Sequence, residues 1–488
     1  MKKYIFIICS AYLTLHISCR HNNDTKQILD NLKDKIYINL YMSGDLSPNF
    51  KKLETETLSI LRDFQNMSNK EIDFNTIPYQ NQSTYYSNQL SHLDIFPIWV
   101  KKDSTYHKIY PYAIAHFREK SITITLHNAN PYDTINEIDH NELSESIKNI
   151  RYNITEAIYL LNQEEKKDIA FLLGHEELDS NQTWSIRSQL SKIYNVEHFN
   201  IREFETHKTN NHPNIDRQIE KLNKYKVVII AKPKKEFLDL DQYIIDQYIM
   251  NGGRVMWLID GTDAHMNNFN NEIEFSLNKN NTSLNRLLSN YGVIINHDLI
   301  QDNQCTKIPI LYEKEIQYVK WEYNPKILIK ENHIITNEKD SILTDFASSI
   351  TILDSSKTKI LIKSSMKSNI INEKEKVHLN IIKSPNTKFT GEKIIGVLIE
   401  GRFTSRFKNY QKYYDNTLSK TISEENKMIV ISDGDIIRNL YKSPNHYYPL
   451  GYYHYEGRSF RGNTNFIINS IKYLAGDEIL LKIKNNKK

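Results

Sequence analysis

A chain of 488 residues has room for two to three domains at roughly 150 residues each. With 39% hydrophobic and 25% charged residues it can build packed cores, and its composition is not that of a disordered chain. The 63 lysines and arginines only narrowly exceed the 59 aspartates and glutamates, and the two signs are interleaved, so the basic stripe of a nucleic-acid binder is missing and no nucleic-acid partner is expected.

The chain opens on "MKKYIFIICSAYLTLHISC" (1–19), two lysines followed by an apolar run from Tyr4 to Ser18. That run is short for a membrane span of about 20 residues but suits a secretory h-region. Two readings stand side by side. In one, a signal anchor keeps Lys2 and Lys3 in the cytoplasm and the body outside. In the other, a lipoprotein leader is cut before Cys19, which then carries lipid, although His16 stands where a branched apolar residue is wanted. Both expect an exported, tethered body: inner-membrane-anchored and periplasmic, or held through Cys19. Of the three cysteines, Cys9 and Cys19 lie in this leader, so only Cys305 belongs to the body, where it reads as a small buried hydrophobe.

The elements that follow alternate between strand and helix. "KIYINLYM" (35–42) reads as a strand, and "FKKLETETLSILRDF" (50–64) carries Phe50, Leu53, Leu61 and Phe64 on one helical face. "KEIDFNTI" (70–77), "IFPIWV" (95–100) and "SITITLH" (121–127) read as strands, which together make an N-terminal α/β domain over 35–140. In "ELSESIKNIRYNITEAIYLL" (142–161), Leu143, Ile147, Ile150, Ile154 and Ile158 recur at helical spacing, so 141–165 is expected to be a connecting helix.

A larger core begins with "DIAFLLG" (168–174), an apolar run of the kind needed by a strand covered on both faces. Helices are expected near 182–193 and 214–224, with strands at "VEHF" (196–199) and "YKVVIIA" (225–231). "LDLDQYIIDQYIM" (238–250) is helical, with Asp239 and Gln242 approximating a capping box and Gly252 or Gly253 ending it. "RVMWLID" (254–260) should then run parallel to 225–231, because a helical crossover joins them. A helix (283–291) and the short strands "GVIIN" and "DLIQD" close the first part of the core, 166–311. Residues 312–392 form an irregular, β-rich insertion with strand-like pieces at 349–354 and 358–363. The core resumes over 393–480 with "KIIGVLIEG", "KMIVISDGD" and the helix "TNFIINSIKYLA". The fold class expected is α/β, doubly wound, with a mostly parallel sheet.

Familiar catalytic signatures are missing from the sequence. A phosphate-binding loop needs GxxxxGK[ST]; Gly391 with Gly396 and Gly457 with Gly462 have the glycine spacing, but Val397 and Asn463 stand where lysine belongs. GxGxxG, GxSxG and HExxH do not occur, so neither cofactor nor metal is expected. What remains is polar groups at strand ends: His175, Glu176 and Glu177 after one strand, Asp260, Asp263 and His265 after another, Ser432, Asp433 and Asp435 after a third. In a parallel sheet such ends share the edge where ligands bind. A cluster of this kind could hold a cation, a sugar or an amine, or do acid–base work. The plainer reading makes these residues turn formers and helix caps.

Several long runs carry a family likeness. "KVVIIAKPKKEFLDLDQYIIDQYIMNGGRVMWLIDG" (226–261), "DLIQDNQC" (298–305), "IEGRFTSRFKN" (399–409) and "KMIVISDGDIIRN" (427–439) resemble the auxiliary component of the gliding-motility ABC transporter, the GldG family. "KIYINLYMSGDLSPNFKKLETETLSILRDF" (35–64) is similar to that family's N-terminal segment. The resemblance implies a Rossmann-like sandwich akin to glutamine amidotransferases, here without their cysteine elbow. It also implies a non-enzymatic, membrane-tethered, substrate-binding-type subunit working with a separate ABC permease and ABC ATPase, in a relative of the gliding Bacteroidetes. Its ligand is left open. The alternatives are a hydrolase or transferase using the strand-end carboxylates, and a structural scaffold of a cell-envelope complex.

Overall fold

The computed structural model describes residues 23–485, apart from 45, 70, 78–89, 94, 103–104, 128–133, 207–211, 270–271, 313, 330, 337–339, 380–387, 409–418 and 444–445. The leader and Cys19 lie outside the described residues. Among those described, no helix is long and apolar enough to cross a membrane. The chain forms two compact units, one of Met1–Lys166 with Glu478–Lys488, the other of Lys167–Asp477.

In the first unit, β1 (Ile36–Leu40) buries Ile36, Ile38 and Leu40 completely and turns its alternate residues outward. It crosses through α1 (Pro48–Met67) to a parallel partner, β2 (Ile72–Thr76). Pro48 fits the first turn of α1 because no intrahelical acceptor awaits its missing N–H. Phe50, Leu53, Leu61 and Phe64 form the buried stripe of α1, as their spacing predicts. The apolar stretch "YAIAHF", which the periodicity did not mark, becomes β3 (Tyr112–Phe117), antiparallel to β1 and followed by β4 (Lys120–Thr125). Asp139 caps α2 (His140–Leu161) by accepting from the N–H groups of Asn141 and Glu142. Leu480 and Ile483, from the helix Glu478–Asn485, join the same core, so this helix belongs to the first unit.

The second unit is built on a seven-stranded sheet. Its strands are β5 (Asp168–Leu173), β6 (Asn195–Asn200), β7 (Val227–Ala231), β8 (Arg254–Leu258) and, after a long intervening region that includes β9 (Cys305–Tyr312) and β10 (Glu315–Ile327), β11 (Thr358–Lys363), β12 (Ile394–Thr404) and β13 (Ile422–Ile431). The order across the sheet is β11-β12-β13-β8-β7-β5-β6. The five strands from β13 to β6 are mutually parallel, while β12 and β11 run antiparallel at the other edge. Ala170, Leu172, Val228, Ile230, Val255, Trp257, Met428 and Val430 share one core with the buried faces of α4 (Ile215–Leu222) and α5 (Asp239–Met250), reached after α3 (Trp184–Leu190). The alternate residues Ile169, Phe171, Val227, Ile229, Met256 and Leu258 are equally buried, and α6 (Arg461–Ala475) packs against β7, β8 and β13. Both faces being covered explains why these strands read as unbroken apolar runs.

The cap of α5 differs from its sequence reading. Leu238 is the N-cap residue, and the carboxylate that accepts its N–H is Asp241, not a partner of Asp239. Gln242 lies one position too far along and donates to the Phe237 carbonyl instead. At the other end, Gly252 takes the left-handed conformation (φ +94°) and donates to the Ile249 carbonyl. Gly253 is needed for a different reason, since a Cβ there would overlap the Tyr248 ring. These glycines end a helix and pack its last turn.

The stretch expected to be irregular holds the antiparallel β9–β10 hairpin, which starts earlier, at Cys305, and supplies β11 to the main sheet. Around the hairpin lies its own small core of Phe269, Leu299, Ile308, Trp321, Tyr323 and Phe346. Cys305 is half-buried, and burial together with Glu322 pushes its thiol up to about 12, so it is an unreactive thiol.

Candidate functional site

The parallel strands bring their C-terminal ends to one edge, and there Asp260, Asp433 and Asp435 converge. The hub is a residue that sequence reading missed. Lys232 follows β7 directly, in the left-handed region (φ +55°), and its buried ammonium lies 2.7 Å from Asp260 Oδ2 and pairs also with Asp435 Oδ2. Asp260 Oδ1 accepts the Gly434 N–H at 2.5 Å. Asp433 accepts from the N–H of Asp435 at 2.8 Å and of Asp345 at 2.9 Å. Arg438 closes the network, with Nε 2.8 Å from Asp435 Oδ1 and a terminal nitrogen 3.5 Å from Asp345 Oδ2. Ser432 takes no part. Its hydroxyl donates to the Ser348 and Ile395 carbonyls and ties β13 to its neighbours.

Four carboxyls face two cations here, so they cannot all ionise alike. Burial works against the Lys232 charge, but Asp260 and Asp435 outweigh it and hold the ammonium's proton well above the ordinary lysine range. Burial likewise opposes ionisation of Asp435, yet Lys232 and Arg438 bring its carboxyl below the usual value. Asp433 makes no ion pair among the described residues, and burial with Asp435 and Asp260 pushes it far up. Burial and Asp435 raise Asp345 to about 6 from the ordinary 3.8.

Because the folded value of Asp345 is the higher one, the folded protein holds this proton more tightly, and stability is lost as pH rises from the unfolded value through about 6. Asp345→Asn should therefore stabilise the protein by roughly 1–2 kcal/mol at about pH 7 and change little at about pH 4. Denaturation midpoints of both proteins at the two pH values check this. Equal midpoints throughout would show that Asp345 does not carry the proton.

His175 and Glu177 do not join this network. The His175 ring is fully buried, stacked on Phe237 at 3.4 Å, with Nε2 3.1 Å from Asp241 Oδ2 and Nδ1 3.4 Å from Glu177 Oε1. Burial lowers its pKa, but the two carboxylates more than compensate and leave it raised. Arg202 also reaches Asp241, at 2.9 Å. This cluster braces the start of α5 and fastens the β5 loop to it. Glu176, between them, points outward and sits 3.5 Å from the exposed Lys235. The structure thus brings Asp260, Asp433 and Asp435 together and keeps His175, Glu176 and Ser432 apart from them.

Above the ion-pair network opens a cleft of about 390 Å³, whose lining includes Lys232, Lys234, Asp260, Thr262, His265 and Arg438. Asp263 lines it too, but its two oxygens accept from the backbone and side-chain amides of Asn278. His265 Nε2 lies 3.3 Å from an Arg438 nitrogen, and burial followed by Arg438 holds its pKa down. Among the described residues no group of histidine, cysteine and carboxylate side chains is arranged to hold a metal ion. Lys232 had one sequence signal, a lysine directly following five buried apolar residues. Arg438 stands one helical turn beyond Asp435, and Asp345 arrives from the intervening region with no local signal at all.

Comparison with known proteins agrees with the two-unit division. No curated protein matches the chain. Residues 22–116 match a domain of unknown function, DUF7088. A solved structure described as the mmIFT52 N-terminal domain is 13% identical with a TM-score of 0.37, over 63% of this chain and 97% of its own, too slight a likeness to carry an argument. Residues 166–470 match the model described as "ABC-type uncharacterized transport system", ABC_transp_aux. That match takes in well over half of the chain, including the sheet, the ion-pair network and the cleft, and the chain belongs to this family of ABC transport auxiliary components.

Proposed function

We propose that the protein is a non-enzymatic auxiliary subunit of an ABC transporter of the gliding-motility type. Its N-terminal segment, through a signal anchor or lipid on Cys19, tethers the body on the periplasmic side of the inner membrane. There it works with a separate permease and a separate ATPase, presenting a ligand to the permease or bracing it. The family match over 166–470 carries this reading. The state of the strand-end acids agrees with it: Asp260 and Asp435 are spent on Lys232 and Arg438 rather than freed beside a nucleophile. Their convergence is also what a hydrolase or transferase would need, and that reading stays second because His175 turns to Asp241 and Glu177 to His175 instead.

The test is a mild-detergent pull-down of the tagged protein from native membranes, with partners identified by mass spectrometry. Recovery of an ABC permease and its ATPase in constant proportion is the expected result. Clean recovery of the protein with neither would remove the transport reading and bring the carboxylate network forward as a catalytic candidate.

A further inference from the structure

The cleft at the strand ends has a charge pattern of its own, distinct from the ion pairs beneath it. Its two lining carboxylates are already engaged, Asp260 by Lys232 and the Gly434 N–H, Asp263 by Asn278. The cations are not matched in the same way. Lys234 is exposed, and its ammonium has no ion-pair partner among the described residues. The charged groups that act on His265 are Arg438, Asp435, Lys232 and Lys234, three cations against one carboxylate that is itself shared by Lys232 and Arg438.

His265 adds a second observation. The Asn267 backbone N–H donates to its Nδ1 at 3.1 Å, and an Arg438 guanidinium nitrogen lies 3.3 Å from its Nε2. Both neighbours can only donate, while a neutral imidazole has one acceptor nitrogen and one N–H. Whichever tautomer forms, the ring's own N–H faces another donor. The wall also carries Thr262, a buried residue whose hydroxyl has no hydrogen-bond partner among the described residues. Surplus donors, an unmatched lysine and a hydroxyl still to be satisfied describe a site that lacks an acceptor.

We propose that this cleft binds a small anion, a molecule presenting a carboxylate or phosphate group to Lys234 and His265, with Arg438 behind the imidazole. The oxyanion supplies the acceptor that the ring's N–H lacks. Its charge also offsets the cations gathered around the ring, which stays neutral and keeps its hydrogen bond from the Asn267 N–H. The proposal deepens the transport reading, on which its biological sense rests, by giving the presented ligand a charge class. Lys232 stays with Asp260 and Asp435 and holds the floor of the cleft in place.

Isothermal titration calorimetry of the purified full chain with inorganic phosphate, and separately with succinate, tests this. Saturable binding of either at one site is expected, and which one saturates tells a phosphate ligand from a carboxylate one. His265→Phe, which keeps a ring but has no N–H to offer the anion, should weaken binding by about fivefold or more. Lys234→Ala should weaken binding at least ~10-fold. Lys235→Ala, the exposed neighbour that pairs with Glu176, should leave it within about twofold. The proposal is overturned if neither anion saturates, if Lys235→Ala weakens binding as much as Lys234→Ala, or if ethylammonium binds this cleft instead. Recovery of a permease without anion binding would remove this proposal alone. Anion binding without a permease would remove only the transport reading.

Discussion

Lys232→Met is expected to cost about 3–5 kcal/mol of folding stability near neutral pH, the range found when one partner of a buried ion pair is removed. Methionine keeps the unbranched stem and meets the same positive φ, so backbone strain is common to both proteins and the lost charge dominates. Asp260 and Asp435 would then face each other in a buried site with only Arg438 and backbone N–H groups to answer them. The pH dependence gives the sign. Against the upward push of burial, Lys232 and Arg438 hold Asp435 below its ordinary value, so its contribution is present above the unfolded pKa and lost as pH falls through the folded one. In the variant, acid also protonates the abandoned carboxylates and relieves their repulsion. Both effects shrink the gap between the two proteins as pH falls below about 4. Adding Asp260→Asn and Asp435→Asn should recover much of the loss, because the penalty belongs to unpaired charge and not to a missing contact. Urea midpoints across the pH range measure all of this. A single variant within about 1 kcal/mol of the parent at neutral pH would mean that water reaches the site and screens it.

That hub shows where sequence reading reaches its limit in this protein. Strands buried on both faces announce themselves, as "DIAFLL", "VVIIA" and "RVMWL" do, because nothing polar fits at either set of alternate positions. Helices with one buried stripe were equally legible, as in 48–67 and 140–161. Acids at strand ends could be placed on one edge, since parallel strands must finish together. Their partners could not. Asp345 comes from a segment far along the chain and meets Asp433 only through a backbone N–H. His175 is immediately followed by two glutamates, yet the carboxylate nearest its ring is Asp241, in the first turn of a helix 66 residues later. The hairpin over 305–327 was hidden for a different reason. Its tip leaves Leu311, Ile316 and Tyr318 exposed, so the polar-out alternation that marks a strand is broken.

Gly261→Ala is expected to destabilise the protein by roughly 3 kcal/mol or more, the upper end for overpacking a tight interior. Gly261 follows Asp260 at the tip of the β8 strand end, where its N–H donates to Ser348 Oγ at 3.2 Å and its carbonyl accepts from Asn280 N–H at 3.0 Å. A Cβ there would collide with the Asn296 backbone carbonyl and stand 2.6 Å from Ser348 Oγ. A side chain can rotate away, but a carbonyl fixed by its own chain cannot. Ser348→Ala added to Gly261→Ala should therefore rescue only a small part of the loss. Gly252→Ala makes the useful contrast: nothing lies within 4 Å of a Cβ at that position, so only its positive φ is penalised, by about 1–2 kcal/mol. Any shift that accommodates alanine at 261 also moves Asp260, and with it Lys232 and the cleft floor. Gly261→Ala protein that still folds should bind anions more weakly, although no ligand contact has been altered. If it matched Gly252→Ala in stability, the 296–297 segment would have to yield easily, and the tight packing of the strand end against it would not be what fixes Asp260.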